Sequence, residues 1–204
     1  MKIKVCGLTE ATDMEGLLSA NLDYLGFICY PKSKRWIAES TIAQKKYGNA
    51  KKVGVFVNET KEKVIEIAKK NNFDLLQLHG DESPVYCDRL REIGVQVIKV
   101  FGVDDRFDFM VTEKYGNKVD YFLFDTKGAQ RGGNGYPFNW EKLHEYKGNA
   151  PFFLSGGIGP ESVAAINKFK HPQLFAIDIN SRFEISPGEK EVAQVKKFVN
   201  EVII

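Results

Sequence analysis

Two side chains of this sequence could carry acid–base chemistry, the thiol of Cys6 and the carboxyl group of Asp125. Each comes at the end of a short apolar run of the kind that forms a buried strand. Each also has a plainer interpretation, because a lone cysteine is more often an inert buried thiol and an aspartate can cap the next loop. If a fold brings them to opposite sides of one cavity, they form an acid and base pair. The loop after Asp125 contains four glycines within residues 128–135, which makes it flexible enough to close over a ligand.

A second group of residues could bind an anion. The apolar run 152–154 breaks into a turn with two adjacent glycines, and the apolar run 174–177 ends in a carboxylate. Small residues let the backbone approach a ligand closely, and free N–H groups at such a turn and at the next helix start attract a phosphate. A plain strand-to-helix turn is the alternative interpretation. The candidate residues are Gly156, Gly157, Asp178, Asn180 and Ser181.

Two basic side chains lie near other predicted strand ends. Arg35 ends the basic loop 31–35, and its planar guanidinium group suits a carboxylate or a phosphate of a substrate. A solvated basic loop explains the same residues equally well. His79 follows the run 74–78, and we interpret it as a structural histidine rather than a catalytic one.

The elements that must position these residues alternate regularly between strand and helix. Apolar runs predict strands over residues 2–6, 24–29, 53–57, 74–78, 95–101, 121–125, 152–154 and 174–178. Helical patterns predict helices over residues 13–20, 40–47, 60–71, 83–93, 105–115, 139–146, 162–170 and 190–202. Eight such units, without a dinucleotide-binding glycine pattern after the first strand, favour a closed (β/α)8 TIM barrel over an open doubly wound sheet. We expect residues 1–204 to form this α/β barrel as a single domain.

The alternation of side chains along a strand indicates which residues face the interior of such a barrel. A period of two places Lys4 and Cys6 on one face and Val5 on the other. A charged group in the interior must be paired, because an isolated buried ion is too costly. We therefore expect Lys4 to contact an interior carboxylate such as Asp178, and we expect Lys99 to face the same interior.

The composition argues against several classes of function. The net charge is only +2, and no basic block is long enough to follow a nucleic-acid backbone. No apolar run is long enough to cross a bilayer, and the N-terminus lacks a secretory signal, so we expect a soluble cytoplasmic protein without a membrane partner. Three cysteines without CxxC spacing and three scattered histidines favour neither a disulfide framework nor a metal site.

Short motifs distributed along the chain carry a family resemblance. They are residues 4–9 (KVCGLT), 26–35 (GFICYPKSKR), 53–58 (VGVFVN), 76–80 (LQLHG), 124–126 (FDT), 132–135 (GGNG), 154–158 (LSGGI) and 178–181 (DINS). They span almost the whole chain, and their combination is highly specific although no single motif is. Taken together, they resemble the phosphoribosylanthranilate isomerase family of tryptophan biosynthesis.

The resemblance implies an Amadori rearrangement that uses no metal and no organic cofactor. The family converts N-(5-phosphoribosyl)anthranilate, a phosphorylated small molecule, into 1-(2-carboxyphenylamino)-1-deoxyribulose 5-phosphate. By this resemblance, Asp125 is the general acid that protonates the ribose ring oxygen. Cys6 is the base that then removes the proton from C2. The sequence leaves the oligomeric state open between a monomer and a homodimer.

The resemblance also implies which residues bind the substrate. It assigns the anthranilate carboxylate to Arg35 and the ribose hydroxyls to the neighbourhood of Asp178. It assigns the phosphate to backbone N–H groups of Gly156, Gly157, Asn180 and Ser181.

The chain departs from the family pattern after Asp178. Arg182 stands where the family usually has glycine, and Asn180 replaces a common serine. A residue other than glycine is disfavoured at positive φ, so this turn bears on the shape of the phosphate site. The Arg182 side chain either contacts the phosphate or points to solvent.

Two rival functions remain open at this level. The nearer is another phosphosugar barrel enzyme, either an aldose–ketose isomerase of the histidine pathway or an indoleglycerol phosphate synthase. The synthase would need a catalytic Lys and Glu set that the sequence does not offer at recognisable positions. The more distant rival is a barrel that only binds a phosphorylated ligand, which would tolerate the loss of Cys6 and Asp125.

Overall fold

Eight parallel strands form the centre of the structure, a computed structural model that describes residues 1–44, 47–127 and 138–202. They are β1 (Lys2–Val5), β2 (Tyr24–Ile28), β3 (Lys51–Phe56), β4 (Leu75–Leu78), β5 (Gln96–Val103), β6 (Tyr121–Thr126), β7 (Phe152–Leu154) and β8 (Leu174–Ile179). Each strand pairs with the next, and β1 pairs with β8 in a register that places Lys4 opposite Asp178. The sheet therefore closes on itself, which confirms the predicted (β/α)8 barrel and excludes the open doubly wound sheet.

Helices connect the strands and cover the outside of the barrel. The α-helices are α1 (Met14–Leu18), α2 (Glu39–Gln44), α3 (Lys61–Asn71), α4 (Pro84–Arg91), α5 (Val163–Lys168) and α6 (Val192–Glu201). Side-chain caps fix the starts of α1, α3, α4 and α6. At α4, for example, the Ser83 hydroxyl accepts a hydrogen bond from the Tyr86 N–H, and Pro84 is the first helical residue. All six lie within a few residues of their predicted ranges, although residues 45 and 46 of predicted helix 40–47 are outside the described residues. Among the helices of the described chain, none is long and apolar enough to cross a membrane.

The fifth and sixth units contain 3-10 helices where the sequence predicts α-helices. Predicted helices 105–115 and 139–146 correspond to the 3-10 helices Phe109–Lys114 and Trp140–Glu145. Aromatic packing fixes both segments, because the rings of Phe109 and Tyr146 lie 5.3 and 5.4 Å from the ring of Phe124 in β6. Segments this short contain few i→i−4 hydrogen bonds, so contacts with the barrel decide their conformation.

The barrel wall separates two apolar cores, as the two-residue alternation predicts. The interior core consists of Tyr24, Val53, Leu75, Ile98, Val100, Leu123, Phe153 and Ala176. Their neighbours along the strands, including Leu76 and Phe124, belong to a larger core beneath the helices, and so does Val5, the neighbour of Lys4 in β1.

Lys99 does not face the interior, so that expectation is wrong. Its neighbours Ile98 and Val100 belong to the interior core, and the alternation therefore directs Lys99 outward. There Lys99 Nζ donates to Glu82 Oε2 at 2.9 Å and to the carbonyl oxygen of Gly80 at 2.7 Å. The side chains of Lys99 and Glu82 are each 2% exposed, so they form a buried ion pair outside the barrel wall.

A short antiparallel hairpin that the sequence analysis did not predict follows β8. Its strands are β9 (Glu184–Ser186) and β10 (Glu189–Lys190). The carbonyl oxygen of Gly188 in its turn accepts hydrogen bonds from the hydroxyl groups of Thr9 and Thr12, both at 2.8 Å. These bonds fasten the hairpin to the loop that follows β1.

We expect Lys99→Ala to reduce the free energy of unfolding by about 3–5 kcal/mol, because it leaves the Glu82 carboxylate buried without its cation. Urea denaturation followed by circular dichroism measures the change. Lys197→Ala is the matched control, since Lys197 is 75% exposed and lies 3.9 Å from Glu201. Its effect should stay within about 0.5 kcal/mol. Equal effects of the two substitutions would contradict a stabilising role for the buried pair.

Candidate active site

One cavity at the carboxyl ends of the barrel strands contains every site residue that the sequence analysis selected. Those residues are Cys6, Arg35, Asp125, Gly156, Gly157, Asp178, Asn180 and Ser181. The other lining residues are Ile28, Tyr30, Ser33, Val55, Val57, Gln77, His79, Ser155 and Ile158. The thiol and the carboxyl group that could exchange protons with a substrate therefore share one cavity with the glycine turn.

The thiol of Cys6 lies next to a buried ion pair. Lys4 Nζ donates to Asp178 Oδ1 at 2.8 Å, so the predicted contact of Lys4 with an interior carboxylate is confirmed. The Ser155 hydroxyl donates to the other oxygen of Asp178 at 3.4 Å. Gly26 in β2 leaves room for the thiol, because a Cβ atom there would lie 2.7 Å from Cys6 Sγ.

Burial and the ammonium group of Lys4 act in opposite directions on the pKa of the Cys6 thiol. Burial raises the pKa of the Cys6 thiol above its ordinary value, while the ammonium group of Lys4 lowers it in part. Burial also acts to lower the pKa of Lys4, but the neighbouring Asp178 and Cys6 side chains favour the ammonium form and raise that pKa overall. Lys4 is therefore cationic, and the thiol is mainly protonated in the free site.

Asp125 keeps its proton to an unusually high pH. The residue is 8% exposed, and burial together with the charge of Asp178 raises the pKa of its carboxyl group to about 7. The backbone N–H of Thr126 donates to Asp125 Oδ1 at 2.8 Å, which favours the ionised form but does not offset the burial. Near neutral pH a substantial fraction of Asp125 is thus able to donate a proton.

His79 contacts the acid, a placement that our interpretation as a structural histidine did not anticipate. His79 Nε2 lies 3.6 Å from Asp125 Oδ2, and its Nδ1 lies 3.2 Å from the side-chain nitrogen of Gln77. Both side chains line the cavity. The two-residue alternation that directs Gln77 inward also directs residue 79 inward, and this signal could have identified His79 as a site residue.

The turn after β7 has the backbone shape that an anion site needs. Gly156 and Gly157 have φ angles of 91° and 64°, where glycine is favoured. At Gly156 a Cβ atom would collide with the backbone nitrogen and hydroxyl group of Thr126, so the turn lies directly against the end of β6. Asn180 and Ser181 face the same cavity from the end of β8.

Arg182, which replaces the usual glycine, causes no backbone strain. Among the described residues, the only non-glycine residues with positive φ are Asn21, Asn58 and Asn72. The guanidinium group of Arg182 donates to Glu161 Oε1 at 2.9 Å in an exposed pair. The side chain therefore extends along the surface and is not among the described residues that line the cavity.

Arg35 lines the cavity but already has a carboxylate partner within the protein. Its Nε and Nη2 atoms donate to Glu184 in the hairpin strand β9, with the shortest distance 2.7 Å. Glu184 also accepts from Lys190 Nζ at 2.6 Å. The sequence analysis missed Glu184 and Lys190, because no local pattern links the hairpin to the loop that ends at residue 35.

Part of the expected site lies outside the described residues. This part comprises the glycine-rich loop after Asp125 and the family-like motif 132–135 within it. Closure of that loop over a ligand therefore stays a prediction. In the part of the chain that the structure describes, no group of three or more His, Cys, Asp or Glu side chains is arranged to hold a metal ion.

Comparison with known proteins decides the family. Residues 3–201 match the family model of N-(5'phosphoribosyl)anthranilate (PRA) isomerase. The chain belongs to the PRA isomerase family. A relative of the same name in Parabacteroides distasonis is 43% identical over 207 residues, which cover 100% of this chain and 94% of the relative.

Two solved structures show the same architecture as this isomerase. Monomers of the dimeric phosphoribosylanthranilate isomerase of Thermotoga maritima have a TM-score of 0.85 and 31% identity, covering 99% of this chain and 98% of theirs. A phosphoribosyl anthranilate isomerase in complex with reduced 1-(o-carboxyphenylamino)-1-deoxyribulose 5-phosphate has a TM-score of 0.84 and 31% identity, with the same coverage.

The isomerase is an enzyme of tryptophan biosynthesis, and its reaction is the isomerisation of PRA. This identification decides against the rival functions. The histidine-pathway isomerase and the indoleglycerol phosphate synthase share its barrel type but not its family. A barrel that only binds a phosphorylated ligand would not explain the retained thiol and acid in one cavity.

We expect Gly156→Ala to raise KM for PRA about tenfold or more, because the added Cβ displaces the turn from the end of β6. Steady-state kinetics measures KM. Gly94→Ala is the matched control, since Gly94 also has a positive φ of 85° but its Cβ would meet nothing within 4 Å. Both variants should lose about 1 kcal/mol of stability or more from the φ penalty, but only Gly156→Ala should change KM. An unchanged KM in Gly156→Ala would show that this turn takes no part in substrate binding.

Proposed function

We propose that Asp125 and Cys6 carry out the Amadori rearrangement in this isomerase, Asp125 as the general acid and Cys6 as the general base. The observation that supports this assignment is that both side chains line one cavity that also contains the glycine turn. The substrate is N-(5-phosphoribosyl)anthranilate, and the product is 1-(2-carboxyphenylamino)-1-deoxyribulose 5-phosphate. We infer that residues 1–204 act as one catalytic barrel domain.

The first step opens the ribose ring. Asp125 gives its proton to the ring oxygen, the bond from that oxygen to C1 breaks, and the nitrogen lone pair forms an iminium ion at C1. The raised pKa of Asp125, about 7, supports this role because it keeps the carboxyl group protonated near neutral pH. The negative charges of the ionised Asp125 and of the nearby Asp178 stabilise the cationic iminium.

The second step removes the C2 proton. Cys6 accepts this proton as a thiolate, and the bonding electrons form a C1–C2 double bond while the iminium nitrogen becomes neutral. Burial raises the pKa of the Cys6 thiol, but the Lys4 ammonium and the iminium charge both favour the thiolate. The resulting enolamine gains a proton at C1 and loses the proton of its 2-hydroxyl group, which gives the ketone.

The remaining residues bind the two ends of the substrate. Backbone N–H groups of Gly156, Gly157, Asn180 and Ser181 hold the phosphate in this proposal. Arg35 binds the anthranilate carboxylate, and Asp178 lies close to the ribose hydroxyls. A structural relative bound to a reduced product analogue, which carries both a phosphate and a carboxylate, supports this two-ended arrangement.

We also propose the setting in which the enzyme works. It acts on a small phosphorylated molecule without a nucleic-acid or membrane partner, as a monomer or a homodimer in the cytoplasm. The dimeric Thermotoga maritima relative supports a homodimer. The three cysteines are free and buried, as is usual for a protein of a reducing compartment.

We expect Asp125→Asn and Cys6→Ser each to lower kcat about a hundredfold or more, the usual scale for losing a general acid or base. The assay follows the conversion of freshly made PRA. Asp88→Asn and Cys29→Ser are the controls, because neither residue lines the cavity, and both variants should keep near-normal kcat. If either site variant also turned over at a near-normal rate, its residue would have no catalytic role.

We expect kcat/KM to rise with pH up to about 7 and then to level off. The active form needs ionised Cys6 and protonated Asp125, so above pH 7 each gain of thiolate is cancelled by a loss of protonated Asp125. A pH profile of kcat/KM tests this. In Asp125→Asn the residual kcat/KM should continue to rise above pH 7. If the break near pH 7 persisted in this variant, the break would belong to a group other than Asp125.

A further inference from the structure

We propose that Glu184 positions Arg35 and sets the charge of the carboxylate-binding end of the cavity, which then selects a singly charged aromatic carboxylate over a second phosphate. The inference rests on the proposed function, because it takes Arg35 as the group that binds the substrate carboxylate. To the binding residues of the proposed function it adds Glu184, which lies in the hairpin that follows β8.

The Arg35 guanidinium group is fixed by a bidentate ion pair. Arg35 Nε lies 2.9 and 3.0 Å from the two oxygens of Glu184, and Nη2 lies 2.7 Å from Glu184 Oε2. The side chain of Glu184 is 4% exposed and that of Arg35 is 17% exposed. The stem of Arg35 lies against the loop after β1, where a Cβ atom at Gly7 would be 2.7 Å from Arg35 Cδ. These contacts fix the plane of the guanidinium group and leave its Nη1 outside the ion pair with Glu184.

A second cation shares the same carboxylate. Lys190 Nζ is fully buried and lies 2.6 Å from Glu184 Oε1 and 2.8 Å from Asn180 Oδ1. The backbone N–H of Gly188 also donates to Glu184 Oε1, at 3.2 Å. Burial alone would raise the pKa of Glu184, but Arg35 and Lys190 reverse this effect and hold the pKa below its usual value. Glu184 is therefore ionised. Burial lowers the pKa of Lys190, but the carboxylate of Glu184 counteracts this and favours the ammonium form, so Glu184 lies between two cations.

The charge count gives Glu184 a role in selectivity. Arg35, Lys190 and Glu184 together carry one net positive charge, which complements one carboxylate. A phosphate monoester carries a charge of about −1.5 to −2 at pH 7 and would be only partly compensated there. Without Glu184, the charge of Arg35 at the cavity surface would no longer be offset by a carboxylate and would suit a dianion better. The glycine turn after β7, by contrast, offers a phosphate neutral N–H groups in a shaped backbone.

The hairpin holds this arrangement in place before the substrate binds. Hydrogen bonds from Thr9 and Thr12 to Gly188 tie the hairpin to the loop after β1, and Glu184 ties it to Arg35. Ordering a free arginine side chain on binding costs conformational entropy, and a guanidinium group that is already fixed avoids this cost. Loss of the Glu184 contact should therefore weaken substrate binding without slowing the chemical step.

The test compares two ligands that differ in charge at the same position. Anthranilate carries a carboxylate, and 2-aminophenylphosphonate carries a dianionic group on the same ring at about pH 8. We expect Glu184→Gln to shift the ratio of their inhibition constants about tenfold toward the phosphonate, because the charge of Arg35 that faces the ligand is no longer offset by a carboxylate. An unchanged ratio would overturn the charge-setting role.

Kinetics with PRA test the positioning role. We expect Glu184→Gln to raise KM about three- to tenfold and to change kcat less than threefold. Glu184→Asp keeps the charge but shortens the side chain, so it should raise KM while leaving the inhibitor ratio unchanged. If Glu184→Gln does not fold, Glu184→Asp still tests whether Glu184 positions Arg35. An unchanged KM in Glu184→Asp would overturn this positioning role.

Two further variants separate this inference from the proposed function. Glu189→Gln removes a carboxylate of the same hairpin that bonds only to Ser186 among its described side-chain contacts, and it should change neither KM nor the inhibitor ratio. Arg35→Ala should raise KM more than any Glu184 variant. An unchanged KM in Arg35→Ala would contradict the carboxylate-binding role of Arg35 itself. A raised KM in Arg35→Ala together with no effect in the Glu184 variants would overturn only the inference about Glu184.

Discussion

The buried ion pair between Lys4 and Asp178 joins the two strands at which the barrel closes, and the site depends on it. The two residues are 174 positions apart in the chain, and they meet at 2.8 Å only because β1 pairs with β8 in register. Their charges then act on their neighbours. The charge of Asp178 contributes to raising the pKa of Asp125 to about 7, and the Lys4 ammonium offsets part of the burial of Cys6. One ion pair thus links closure of the fold to the protonation states that the proposed chemistry requires.

The other buried charges follow the same rule that a buried ion needs a partner. Lys99 pairs with Glu82 outside the barrel wall, and Glu184 pairs with both Arg35 and Lys190. Cys6 and Asp125 differ from Glu184, because no partner charge reverses the effect of burial, which raises the pKa of both and favours their neutral forms. Neutral groups among fixed charges are inexpensive to bury and can still exchange protons with a bound substrate.

Much of the fold and the site follows from local sequence patterns, and the errors have identifiable causes. Apolar runs located the strands, and the polar residues at their ends identified Cys6 and Asp125 as members of one cavity. The prediction that Lys99 faces the barrel interior was wrong, because alternation shows which residues share a face but not which face is interior. A shift of one residue reverses that assignment. The segments after β5 and β6 became 3-10 helices because their aromatic side chains pack on the strands, an effect that helical propensity does not include.

The sequence by itself determined the number and order of the strand–helix units, the chemical groups at the strand ends and the family. These features depend on residues that are close together along the chain, so local periodicity and short motifs are sufficient to predict them. Only the tertiary structure decided the contact of His79 with Asp125 and the assembly of Arg35, Glu184 and Lys190. Arg35 and Glu184 are 149 residues apart, and nothing local to either predicts the other. Their contact requires barrel closure, because only closure brings the loop after β2 and the hairpin after β8 to the same cavity.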